Sequence, residues 1–234
     1  MNFSMQMLVL AVGIGVMPSA AQSTPPMQKG INVELAAANN TEPLPEADKE
    51  NAVIVTVTEI GSVYLGTAEI KADALATAIK DKLSDPQQTI YLKVDARAPY
   101  AQVESVLKAA QSTRAYEFDL LTAAPTATKP QGRVPPNGIA VRTRPVGGLS
   151  PFEFALVEVL HSEQGEPVLK IRDNQIAIKD LRSTLLQMFQ KQPGGSVGVE
   201  ADGKISFADI VRVIDTVRSM GAKVTLVLRA AKGA

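Results

Sequence analysis

Two carboxylates in this 234-residue chain stand in the same company, Asp95 and Asp202, 107 positions apart. Each closes a short alternating apolar run, "LKVD" and "VEAD", and five positions later each is followed by an aromatic, Tyr100 and Phe207. A carboxylate at a strand end ahead of a helix has two uses. It accepts backbone N–H groups and so fixes the strand-to-helix turn, or it is offered to a partner at the C-terminal edge of the sheet. The aromatics fall on the first turn of a helix, where they are placed to pack under the sheet. Asp95, Tyr100, Asp202 and Phe207 are therefore partner-binding candidates. Ile31, Val33 and Leu35 join them, because their alternation in "GINVELAA" suits a strand that adds to a sheet edge.

Catalytic chemistry finds no such footing. The single histidine, His161, precedes the polar loop Glu163-Gln164-Gly165, and the chain has no cysteine, which removes thiolate nucleophiles, disulfides and cysteine-based zinc sites together. A GxSxG occurs as Gly194-Gly195-Ser196-Val197-Gly198 within "PGGSVG" at Pro193, but it precedes a strand where a nucleophile elbow would follow one, and it lacks a lysine, so it reads as a turn; no GxGxxG follows a strand. No catalytic residue, metal or cofactor is expected, and the chain is not read as an enzyme. Charge is balanced at 24 Lys and Arg against 24 Asp and Glu, but unevenly spread. Residues 1–125 hold nine basic and fourteen acidic groups, residues 126–234 fifteen and ten. The basic residues are scattered singly without interleaved aromatics, which argues against a nucleic-acid partner.

The elements that must position these residues repeat. The constant offset runs on from Tyr100/Phe207 through Val103/Ile210, Val106/Val213, Leu107/Ile214 and Ala110/Val217. Residues 53–122 read as a first unit: two strands about Gly61, a helix with Leu75, Ala78, Ile79 and Leu83 inward and Asp73 as its N-cap, a strand at Ile90–Val94, a helix from Tyr100 to Ala110, and a last strand in "YEFDLL". Residues 123–150 are rich in Pro, Gly and Thr and read as a linker with one short extended piece at Ile139–Val141. Residues 151–234 repeat the plan, with "PVLKIRDNQIAI" as two strands, a helix on Leu181, Leu185, Met188 and Phe189, the strand "SVGVEAD", a helix over Ala208–Met220 ended by Gly221, and the strand "KVTLVL". Phe154–Leu160 is an extra apolar segment without a counterpart in the first unit. The fold class expected is α+β: two repeated small ββαβαβ domains, each with two helices on one face of a mixed sheet.

Residues 1–21 contain an uncharged apolar run from Met5 to Met17, shorter than the about 20 residues that span a membrane. Ser19-Ala20-Ala21 before Gln22 fits a processing site, so this segment is either a signal peptide cleaved after Ala21 or an N-terminal membrane anchor. Both readings put everything after Gln22 outside the cytoplasm. Residues 22–52 then form a flexible stalk with one short strand.

The pattern V-x-V-x-A-D…[YF]-x-x-V-x-x-V-[IL]…G-A-x-V-x-L resembles the extracytoplasmic domain of the ExbD/TolR family of biopolymer transport proteins. It stands here as Val197-Gly198-Val199-Glu200-Ala201-Asp202, then Phe207, Ile210, Val213, Ile214, Gly221, Ala222, Val224 and Leu226. The first unit is similar through "VTVTEIGSVYLGTAEI", "LKVD" and Tyr100, and departs where Arg114 replaces the family's helix-ending glycine. "MQKGINVELAAA" is similar to the family's post-membrane TQGIxVxLP, with Ala36 in place of the proline. The resemblance implies a periplasmic domain on one membrane helix, an ExbB/TolQ-like channel subunit and a TonB/TolA-like protein as partners, and coupling to the proton-motive force; it allows a homodimer. It also implies one intramembrane Asp, an expensive group that marks function. Met1–Met17 contains no Asp, Glu, Lys, Arg or His, so this segment is not expected to carry the proton relay. The alternative is a soluble periplasmic module of the same fold that binds a partner or the cell wall.

Overall fold

The computed structural model describes residues 31–85, 88–124, 136–145, 150, 153–163, 165–191 and 195–229. The expected signal peptide or anchor, and the stalk up to residue 30, lie outside them. Among the described residues no helix is long and apolar enough to cross a membrane.

The first half runs β1 (Glu42–Pro43), a 3₁₀ turn (Pro45–Asp48), β2 (Val53–Val57), β3 (Val63–Leu65), β4 (Ala68–Glu69), α1 (Ala72–Lys82), β5 (Ile90–Val94), α2 (Tyr100–Gln111) and β6 (Glu117–Thr122). After β7 (Asn137–Pro145) the second half follows: β8 (Glu153–Leu160), β9 (Val168–Ile171), β10 (Asn174–Ala177), a 3₁₀ turn (Ile178–Asp180), α3 (Leu181–Lys191), β11 (Ser196–Ala201), α4 (Phe207–Arg218) and β12 (Lys223–Leu228). These strands make one twelve-stranded mixed sheet in the order β4-β3-β2-β5-β6-β7-β12-β11-β8-β9-β10, with β1 beside β7. The α+β class holds. In each half a hairpin series leads into two parallel pairings. β2 is antiparallel to β3 and parallel to β5, and β5 is parallel to β6. Likewise β8 is antiparallel to β9 and parallel to β11, and β11 is parallel to β12.

Phe154–Leu160, expected to lack a counterpart, is most of β8, and its place beside β11 is that of β2 beside β5. A fixed offset could not find it. Val57 O accepts from Asp95 N and Val159 O from Asp202 N, so these strands match at an offset of 102, not 107. The expected linker also holds more than a short extended piece. β7 spans nine residues and joins the halves, antiparallel to β6 and parallel to β12. Ile139, Val141 and Thr143 alternate inward along it, while Pro136 and Pro145 bound it where missing N–H groups do least harm.

One core runs under the sheet through both halves, from Val55, Leu92 and Leu120 to Val157, Val199 and Leu226, capped by helix residues such as Leu75, Val103, Leu185 and Ile210. β2 and β5 are buried at every position, which requires cover on their second face too. That cover is the expected stalk: Ala47, Ile54, Tyr91 and Leu121 form a second cluster with Leu35, Leu44 and Ala52 against it. From the segment, Ala47 is fully buried and Leu35, Leu44 and Ala52 partly so, and this apolar burial, at about 25 cal/mol per Å², holds residues 35–52 against the domain. The expected strand at Ile31–Leu35 does not form. Only Leu35 and Ala37 make isolated bridges, to Asp95 and Ala123, because the segment crosses strand ends and does not run along an edge. The N-cap position of α1 is Lys71, which makes no side-chain capping bond, and the expected cap Asp73 lies in the first turn, where its charge favours the helix dipole.

Candidate functional site

Five of the seven candidate residues lie at one seam, where the turns that follow β5 and β11 meet and the N-terminal segment crosses the first of them. Asp95 is buried, and its carboxylate is fully engaged. Oδ1 accepts from the Arg97 backbone N and Nε at 3.0 Å each, and Oδ2 from Arg97 Nη2 and the Glu34 backbone N at 3.2 Å each. Burial alone would push the Asp95 carboxyl up; the hydrogen bonds from Arg97 and Glu34, with the guanidinium charge, outweigh it and hold the group below the usual carboxylate value. Arg97 also reaches Glu59 at 3.0 Å, tying the β2–β3 turn to the same point. Asp202 makes the smaller version of this turn, Oδ1 accepting from Lys204 N at 2.9 Å, and is half-buried. The side chains therefore fix strand-to-helix geometry, each through the amide two residues on.

Tyr100 and Phe207 are buried at 1% and 0% exposure on the first turns of α2 and α4. Among the described residues the Tyr100 hydroxyl has no hydrogen-bond partner. Burial first, then the nearby Glu104 carboxylate, pushes its pKa up and keeps it protonated. Leu35 lies half-buried against Asp95; Ile31 and Val33 are half-buried outside any strand and are not drawn into the seam.

Residues that the sequence reading missed hold the seam together across its length. Asp215 of α4 accepts from the Asn39 backbone N at 3.0 Å, the Asn40 backbone N at 2.7 Å and Asn40 Nδ2 at 3.0 Å, all on Oδ1. Arg218, one turn on, binds Glu42 at 2.7 Å. Glu104 of α2 accepts from the Arg229 backbone N and from Lys108 at 3.1 Å, and Arg229 reaches Glu200 at 3.0 Å. Thus α2 is fastened to the end of β12, and the N-terminal segment to α4. Arg97 had a local signal, a cation two residues after a carboxylate. Asp215 had none, since its partners are 175 and 176 residues away.

The turns also bind each other directly. Tyr100 N donates to Ile205 O at 2.8 Å and Ala101 N to Gly203 O at 3.0 Å, while Phe207 N donates to Ala98 O at 2.9 Å and Ala208 N to Ala96 O at 2.8 Å. These donors are the first amides of α2 and α4, which no carbonyl of their own helix can satisfy. What the seam assembles is a joint between chain segments, built from backbone groups and saturated carboxylates.

Residues 17–125 match the family model described as biopolymer transport protein ExbD/TolR, a span that ends just after β6 and before β7. No curated protein and no solved structure matches the chain.

Proposed function

We propose, from the match of residues 17–125 to the ExbD/TolR family of biopolymer transport proteins, that the chain is a component of a transport system coupled to the proton-motive force, acting in the periplasm through protein–protein contacts. Its partners in this reading are an ExbB/TolQ-like channel subunit and a TonB/TolA-like protein, and its role is not enzymatic. The observation that carries it is the family match over the N-terminal segment and the whole first half. The second half supports a tandem reading: its strands pair in the same order and the same senses as those of the first.

Residues 1–17 hold no Asp, Glu, Lys, Arg or His, so in this reading they do not supply the titrating group. The alternative, a soluble periplasmic module that binds a partner or the cell wall, draws on the Ser19-Ala20-Ala21 processing pattern. One experiment separates them. The native protein is crosslinked in cells, and its intact mass is taken from alkaline-washed membranes and from the periplasmic fraction. An uncut chain in the membrane, crosslinked to a channel subunit, is the expected result. A chain that begins at Gln22, soluble and free of any channel subunit, would overturn the motor reading in favour of the alternative.

A further inference from the structure

The four hydrogen bonds between the turns obey one rule. Adding 107 to the donor and subtracting 107 from the acceptor converts Tyr100→Ile205 into Phe207→Ala98, and Ala101→Gly203 into Ala208→Ala96. The isolated antiparallel bridge between Pro99 and Ser206 maps onto itself under the same operation, since these residues are also 107 apart. An interface in which residue i meets j while the equivalent of j meets the equivalent of i is the signature of a two-fold contact between like units. The sheet agrees: β6 is antiparallel to β7 and β7 is parallel to β12, so the two equivalent last strands run in opposite senses across the centre. Chance packing of two unrelated lobes has no reason to return every donor and acceptor at one offset.

We propose that turns 96–101 and 203–208 are the two sides of one self-complementary interface turned inward, so that a single chain is a fused two-fold pair. The partner that fits this surface is a second copy of the unit, and the chain carries it. The face is consumed within the chain, and a second chain finds it occupied; partners must use other surfaces. This inference rests on the hydrogen-bond pattern and not on the family reading.

The test exploits the absence of cysteine. Pro99→Cys with Ser206→Cys in the full chain places two thiols at a non-hydrogen-bonded antiparallel pair, where Cα atoms lie about 4.5 Å apart, within disulfide range. Mild oxidation is expected to close a bond inside one chain, leaving the mass of a monomer under non-reducing conditions, at all protein concentrations. A disulfide between two chains would overturn the proposal, because the interface would then be shared between copies. Since Ser206 caps α4 through Asp209 N, the unmodified chain provides the second measurement. The amides of Tyr100, Ala101, Phe207 and Ala208 stand at helix starts and would exchange freely without the cross-turn bonds. All four are expected to be protected at least 100-fold, in matched pairs, with light scattering giving one chain per particle. Exchange at unprotected rates in either pair, or a dimeric particle, would sink it.

Discussion

Gly203 faces Ala101 across the seam, and the pair offers a test in which the sign of the effect decides. A Cβ built on Gly203 stands 2.9 Å from the Ala101 Cβ, whereas carbons in contact prefer about 3.5–4.0 Å. Neither atom is the end of a flexible side chain, so relief requires the turns to part by roughly 0.6–1 Å, which strains the 3.0 Å bond from Ala101 N to Gly203 O. Overpacking of this kind costs about 1–3 kcal/mol, so Gly203→Ala is expected to destabilise by about 2 kcal/mol. Gly203 does not have a left-handed φ; on backbone grounds alone the same substitution would stabilise by about 0.4–1 kcal/mol. Ala101→Gly opens the space from the other side and by itself costs at most about 1 kcal/mol in a first helical turn. The double variant should recover most of the loss, a coupling of about 1–2 kcal/mol. Urea unfolding followed by circular dichroism gives the midpoints, with an unchanged slope showing that the unfolded ensemble is the same. If Gly203→Ala raises stability, or the coupling lies within about 0.5 kcal/mol of zero, the close approach of the turns is refuted.

Three further outcomes are expected. Arg114 sits at φ 70 after α2, where Gly221 sits at φ 74 after α4; a left-handed conformation costs an L-residue about 1–2 kcal/mol, so Arg114→Gly should raise stability by about 1 kcal/mol and Gly221→Ala lower it by a similar amount, read from the same urea titrations. Asp95→Asn should cost about 2 kcal/mol at neutral pH through its charge-assisted bonds. Because the folded value of Asp95 lies below the unfolded one, the wild-type advantage is complete above about pH 4 and disappears as pH falls through the folded value; a difference that survives below it would show that the charge is not the cause. Asp215→Ala should remove about 1–2 kcal/mol and speed amide exchange at Asn39 and Asn40, while leaving the Glu34 amide on Asp95 protected.

What could be read from the sequence follows from how local each determinant is. The strands and helices around Asp95 and Asp202 were legible because their apolar periods lie within single elements. "KVTLVL" is β12 residue for residue, and Gly221 adopts the left-handed conformation expected of it. β7 was hidden because Pro, Gly and Thr dominate its neighbourhood, although its own alternation of Ile139, Val141 and Thr143 was present. The docked segment at residues 35–52 was hidden because its anchors are small or remote: Ala36, Ala38 and Ala47 bury little pattern, Asn39 and Asn40 bond to Asp215 on α4, and the Glu42 side chain pairs with Arg218 there. Asp95 and Asp202 were singled out as partner-binding candidates, and in the structure their carboxylates are engaged at their own turns, Asp95 most completely.

The centre of the sheet explains why the halves, alike in their turns, differ in their surroundings. β6 and β12 run in opposite senses, so any strand placed between them must be parallel to one and antiparallel to the other. β7 is that strand, and it is present once. Its antiparallel side pairs along all of β6, from Glu117 to Thr122, while its parallel side reaches only Thr225–Leu228 of β12 and leaves Asn137 and Gly138 to β1. Gly138 is required there: a Cβ would meet Leu44 Cδ1 at 2.4 Å and Leu120 O at 2.5 Å, where β1 brings the N-terminal segment across. The single strand and the single N-terminal segment thus break the same symmetry at the same place. The second face of the first half is covered by Leu35, Leu44 and Ala47, on the side of the chain that carries the family match. The two halves share their joint, but they present different surfaces to anything that binds.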